Sequence, residues 1–132
     1  MIRGLSHVNI GARDAGKSLH FYTEVLGLKL AQTIDLPDGR RLWLLDAGGG
    51  GMVELSQAAA GAAPTPTEPT VPDAGLRHLA FYVENVNEAH DRLAGLGYKF
   101  RLAPPPPGAP GARIALLMGP DGEDIELMEQ GH

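Results

Sequence analysis

The chain has 132 residues, 43% of them hydrophobic and 20% charged, and a formal charge of −5, which excludes a wholly disordered chain and predicts one soluble domain spanning 1–132. Cysteine is absent, which excludes disulfides, thiolate zinc, iron–sulfur clusters and thiol nucleophiles, and fits a reducing cytoplasm. No Lys/Arg cluster offers a footprint for nucleic acid or an anionic membrane, no apolar run reaches the ~18–20 residues of a span, and the first residues lack a signal-peptide apolar segment.

In chain order, Leu5 to Ala12 alternates and predicts a strand. Asp14 is the expected helix cap, with a stripe of Leu19, Tyr22 (or Phe21), Val25 and Leu26 running to Gly27. Three strands are expected near 28–35, 41–46 and 51–56, with Asp38-Gly39 as a hairpin turn and Gly48–Gly51 as a flexible one. Residues 57–74, rich in Ala, Pro and Thr, predict a linker. Leu76 to Val83 is the next strand, and Asn85 or Asn87 caps a helix through Ala89, Leu93 and Leu96 to Gly97. Strands near 98–103, 112–118 and 123–129 complete the chain, with Pro104–Pro107 as a stiff loop and Pro120-Asp121-Gly122 as the last turn.

The order β-α-β-β-β therefore occurs twice, and the residues repeat with it. Gly4-Leu5-Ser6-His7-Val8 matches Gly75-Leu76-Arg77-His78-Leu79. Leu42-Trp43-Leu44-Leu45 and Val53-Glu54-Leu55 match Ile114-Ala115-Leu116-Leu117 and Ile125-Glu126-Leu127 at a nearly constant offset. Module 1 covers about 1–56 and module 2 about 75–132.

Strand alternation then sorts the faces. Val8 and Ile10, Val53 and Leu55, Leu79 and Phe81, and Ile125 and Leu127 form apolar faces suited to packing under helices. His7, Glu54, His78 and Glu126 all fall on the opposite face. A single His or Glu there would be an ordinary wet side chain. Two imidazoles and two carboxylates, symmetric under the repeat, make an N2O2 ligand set for one divalent metal if the halves form one curved sheet; Ni, Co, Zn, Mn and Fe all suit it. Asn9, Ser56, Tyr82, Met52 and Met128 share this face. Asn9, Tyr82 and Ser56 are candidates to touch substrate, Asn9 and Tyr82 alternatively to hold a ligand carboxylate, while the two Met residues read as packing. Trp43 is expected in the core, and His20 and His90 on the surface.

With these residues in place, the chain resembles the vicinal-oxygen-chelate superfamily, which includes glyoxalase I, methylmalonyl-CoA epimerases, extradiol dioxygenases, fosfomycin-resistance transferases and bleomycin-binding proteins. The resemblance spans nearly the whole chain and rests on His7-Val8-Asn9-Ile10, on Ser18 to Leu28, on Val53-Glu54-Leu55, on Leu76-Arg77-His78-Leu79-Ala80-Phe81, and on Gly119-Pro120-Asp121-Gly122 before Ile125-Glu126-Leu127. It implies an α+β fold in which two tandem β-α-β-β-β modules form an open, barrel-like curved sheet around a metal. His7, Glu54, His78 and Glu126 match the His, Glu, His, Glu set of the shorter bacterial glyoxalase I. By that resemblance the chain is a metal-dependent lyase or isomerase and a homodimer. It moves a proton next to a chelated carbonyl or hemithioacetal through an enediolate, with Glu54 or Glu126 as general base. The implied partner is a small carbonyl compound or its thiol adduct. Glyoxalase I usually has an Arg four residues after its first ligand His, where this chain has Gly11. The other readings the resemblance leaves open are an epimerase, a dioxygenase and a non-catalytic drug- or metabolite-binding protein.

Overall fold

Each half of the chain folds in the order β-α-β-β-β into its own four-stranded mixed sheet, so the fold class is α+β. The computed structural model describes residues 1–64 and 74–131. It separates into two units, Met1–Pro64 and Thr65–His132. Residues 65–73 of the expected linker, and the terminal His132, lie outside the described residues.

In the first unit Asp14 leaves the strand conformation unchanged at its own backbone and accepts a hydrogen bond from the Lys17 N–H at 3.1 Å, which starts α1 at Ala15–His20. The helix then widens into a π-helical turn, Phe21–Val25. The Thr23 hydroxyl donates to the Leu19 carbonyl at 2.6 Å, and Leu26 N–H reaches back five residues to the Phe21 carbonyl at 2.9 Å. The wider turn lets Phe21 and Tyr22, adjacent in sequence, both go inside, with ring centroids 5.0 Å apart and nearly perpendicular. Gly27, at φ +85°, ends the segment in the left-handed conformation that a Cβ would oppose.

The strands are β1 Val8–Ala12, β2 Lys29–Asp35, β3 Arg41–Gly48 and β4 Gly51–Gln57, in the spatial order β1-β4-β3-β2. β1 runs parallel to β4; the other pairs are antiparallel. Helix α1 packs on β4, over the face that carries Leu45, Val53 and Leu55. Each of these fully buried side chains contributes about 1.5–3 kcal/mol of transfer free energy. Trp43, expected in the core, lies on that face but is only half-buried.

The second unit repeats the plan with β5 Leu79–Val83, α2 Val86–Gly95, β6 Phe100–Leu102, β7 Ile114–Met118 and β8 Asp124–Glu129, ordered β5-β8-β7-β6. Asn85, not Asn87, is the cap of α2, accepting from the N–H groups of Asn87 and Glu88 at 3.0 Å each. Val86 and Leu93 of α2 pack toward β7 and β8, where Ala115, Leu117, Ile125 and Leu127 are buried. Leu96, expected on the same stripe, is exposed: it follows the last helical residue, where the chain turns away through Gly97 at φ +94°. β6 is shorter than the predicted strand, and both β2 and β6 carry a register shift in their pairing with the neighbouring strand.

One device recurs under the repeat. The last residue of the fourth strand in each module holds the first N–H of its helix. Gln57 Oε1 accepts from Ala15 N–H at 3.0 Å, and Glu129 Oε2 accepts from Val86 N–H at 3.0 Å. Gln57 thus belongs to β4 and clamps α1, instead of opening the linker. Glu129 also accepts from Arg113, whose guanidinium in turn donates to the side chain of Asn87 and to the Pro106 carbonyl, so the proline loop is fastened to the helix start. Among the described residues, no helix is long and apolar enough to cross a membrane.

Candidate functional site

The two predicted ligand histidines sit one residue before a strand, not within it: β1 begins at Val8 and β5 at Leu79. The residues leading in, Leu5 and Leu76, are exposed, and the strand registers begin at Val8 and Leu79. The face assignment survives this shortening, because the parallel registers place Asn9 beside Glu54 and Ala80 beside Glu126. In each unit His and Glu meet. His7 Nε2 lies 3.5 Å from Glu54 Oε2, and His78 Nε2 lies 3.2 Å from Glu126 Oε2.

The surroundings of the two carboxylates are alike on one side. The antiparallel neighbours place Leu44 across from Glu54 and Leu116 across from Glu126. Both glutamate side chains are largely withdrawn from solvent, 14% and 12% exposed, while His7 and His78 remain 37% and 42% exposed. A carboxylate shielded by apolar neighbours needs a cationic partner or hydrogen-bond donors to offset desolvation.

The pairs have the spacing of two donors on one ion. With metal–ligand bonds of about 2.1 Å, neighbouring donors stand about 3.0 Å apart at a right angle and about 3.4 Å apart at the tetrahedral angle. The nitrogen and oxygen types suit Ni, Co, Zn, Mn or Fe, and nothing in the donor set is soft. Within either unit, among the described residues, no third His, Asp or Glu joins the pair. Two ligands alone are too few for a structural or catalytic ion of this kind.

On the other side the two half-sites differ. Asn9 Nδ2 donates to Glu54 Oε1 at 2.9 Å, and Ser56 Oγ donates to Asn9 Oδ1 at 3.3 Å. Ser6 Oγ is 3.0 Å from His7 Nδ1, which leaves Nε2 turned to Glu54. Ser6 was not apparent from the sequence pattern; its one signal is a hydroxyl next to a candidate ligand histidine. Tyr82 is 69% exposed and is registered against Met128 on β8. His20 is on the surface as expected, but His90 is half-buried, its ring tilted against Phe100 with centroids 4.5 Å apart and paired with Asp91 at 3.0 Å. Its position on the inner edge of α2 explains the difference: the ring covers β6 while its nitrogen stays with the exposed carboxylate.

Known proteins are similar to this chain in fold and, at lower level, in sequence. A probable lactoylglutathione lyase of Synechocystis is 30% identical over 130 residues, covering 95% of this chain and 94% of that protein. The trypanothione-dependent glyoxalase I of Leishmania major superposes with a TM-score of 0.77 at 26% identity, over 97% of this chain and 87% of that one. An antibiotic-binding protein of Streptomyces, TnmS3, shares the fold with a TM-score of 0.69 at 24% identity, over 98% of each chain. Enzymes and binding proteins therefore both occur on this pair of modules. The model of one family matches residues 4–127, taking in both His–Glu pairs and both helices, and the chain belongs to that family, the Glyoxalase/Bleomycin resistance protein/Dioxygenase superfamily.

Proposed function

We propose that the protein is a divalent-metal-dependent lyase or isomerase of the glyoxalase I type, acting on a small carbonyl compound or its thiol adduct. The observation that carries this reading is the repeated His–Glu pair, His7 with Glu54 and His78 with Glu126, each at donor spacing and each beside a leucine. On this reading His7, Glu54, His78 and Glu126 are the metal ligands, within one chain or across a homodimer. A bound divalent ion supplies Lewis-acid stabilisation of negative charge developing on substrate oxygens. The chain's own residues do the rest. His7 and His78 offer imidazole nitrogens. Glu54 and Glu126 are carboxylates in a poorly hydrated setting, and either can take a proton from carbon and return it within hydrogen-bond reach. On this reading Asn9, Ser56 and Tyr82 touch the substrate. Gly11, with no atom within 4 Å of where a side chain would begin, leaves room where the resembled glyoxalases carry Arg, so the thiol partner need not be glutathione.

The test is metal content by plasma mass spectrometry on protein purified without chelator or metal-affinity resin, beside the double variant Glu54→Gln, Glu126→Gln. The expected result is about one divalent ion per four-ligand site in the wild type, its loss in the variant, and turnover of methylglyoxal–thiol adducts only by the metal-loaded wild type. A wild type that neither holds nor takes up metal would make this a binding protein. Metal-loaded protein without turnover, but with solvent deuterium entering and inverting the α-carbon of an acyl-CoA, would make it an epimerase. Oxygen uptake with catechols under iron(II) would make it a dioxygenase.

A further inference from the structure

We infer that Asn9 is a positioning residue that fixes Glu54 to a single free oxygen, so that the two His–Glu pairs are supported unequally. The inference rests on the metal-site reading above and goes beyond it. The Asn9 amide nitrogen donates to Glu54 Oε1 at 2.9 Å, and it is the other oxygen, Oε2, that faces His7 Nε2 at 3.5 Å. The Asn9 amide is itself oriented, because its Oδ1 accepts from the Ser56 hydroxyl at 3.3 Å. An ionised carboxylate only accepts, so the amide nitrogen is the end of Asn9 that meets Glu54, and the Ser56 hydroxyl holds the amide oxygen. The parallel register makes the arrangement rigid: Asn9 is paired with Glu54 and Gly11 with Ser56 along the same two strands.

The second module provides the internal comparison. The register position of Asn9 is held by Ala80 beside Glu126, and Met128 takes the place of Ser56. Neither side chain has a donor for a carboxylate. Among the described residues Glu126 has His78 as its one polar side-chain partner, at 3.2 Å. Glu54 is thus held at both oxygens, and Glu126 at one. A carboxylate with one oxygen committed to an amide donor binds an ion through the remaining oxygen and keeps its orientation when the ion is absent. Supports of this kind typically contribute about 10–100-fold to metal affinity.

The experiment titrates Co2+ and Ni2+ alone into apo wild type, Asn9→Ala and Ser56→Ala, reading affinity by calorimetry and the Co2+ visible spectrum. Asn9 is exposed on an edge strand, so the variants are expected to keep the apo melting temperature of the wild type, and circular dichroism checks it. The expected result is affinity weakened about 10–100-fold in Asn9→Ala, with a changed Co2+ spectrum, and a smaller change in the same direction in Ser56→Ala. Wild-type affinity and spectrum in Asn9→Ala would overturn the inference while leaving the metal centre standing. A wild type that binds neither ion would overturn both. Should Asn9→Ala lose its fold, Ser56→Ala decides alone: unchanged affinity and spectrum there would overturn the inference.

Discussion

Glycine at position 119 illustrates how much a single residue can be asked to do. A Cβ at Gly119 would overlap the Glu123 side chain, whose Oε2 accepts from the Asp121 N–H at 2.8 Å inside the last turn. Gly119 N–H also donates to the Glu123 carbonyl at 2.8 Å. Gly119→Ala is therefore expected to evict the carboxylate from the turn and cost about 1–2 kcal/mol, the scale of a backbone N–H left without its acceptor. Glu123→Ala should cost a similar amount, and the double variant little more than either, because the overlap and the bond are one interaction. Chemical denaturation of the three variants measures the coupling; costs that simply add would refute it. At this scale the sequence was partly readable. Strand alternation placed Asn9, Glu54 and Ser56 on one face, and their hydrogen bonds bear that out. It could not show that Asn9 would lie against Glu54 in particular, since that depends on a parallel register between strands far apart in the chain.

Among the elements, the β2–β3 hairpin is held at its turn end by exposed charge pairs. Asp35 Oδ1 accepts from Arg41 at 2.6 Å, and Asp38 Oδ2 accepts from Arg40 at 2.7 Å. The Arg41 side-chain hydrogen bond keeps the Asp35 carboxyl below its ordinary value, and the Arg40 backbone and side-chain bonds do the same for Asp38. A carboxyl whose value is lowered by folding stabilises the fold above the usual carboxylate range, and that contribution fades as pH falls through the lowered value. Both groups are in solvent, so the effect is small. The expected outcome is that Asp35→Asn, Asp38→Asn barely changes the melting temperature at neutral pH and flattens its decline in acid. A large loss at neutral pH would contradict it. Turn chemistry made this hairpin legible: Asp38-Gly39 was readable, and Gly39 takes φ +85°. The π-helical turn was not, because it depends on a Thr23 hydroxyl choosing a carbonyl and on two adjacent rings being buried together. The Gln57 and Glu129 clamps were equally hidden, since each joins a strand end to a helix more than forty residues away.

For the whole molecule, the internal repeat was the most informative feature of the sequence, because it fixed the element order of one half from the other. The repeat also carries a thermodynamic expectation. On the proposed reading His7 and His78 are both ligands of the metal. An ion that binds only the folded state adds about 2.7 kcal/mol at one hundred times its dissociation constant. Nickel or cobalt should therefore raise the melting temperature of the apo protein, chelator should reverse the rise, and either His7→Ala or His78→Ala should abolish it. A rise that survives in one of these variants would mean that a single half-site binds the ion unaided.

The register shifts in β2 and β6 bear on how this protein meets other copies of itself. Both strands lie at the margin of their sheets as the described residues form them, and each carries its shift there, between Leu30 and Gln32 and between Phe100 and Leu102. An interrupted margin is a poor template for a stranger's strand. Lys29 at the start of β2 and Asp35 at its end add charge to the same margin, and β6 is only three residues long. Along these two edges, growth by continuous sheet extension is discouraged, and self-association there has to be led by side-chain chemistry, which single substitutions can tune.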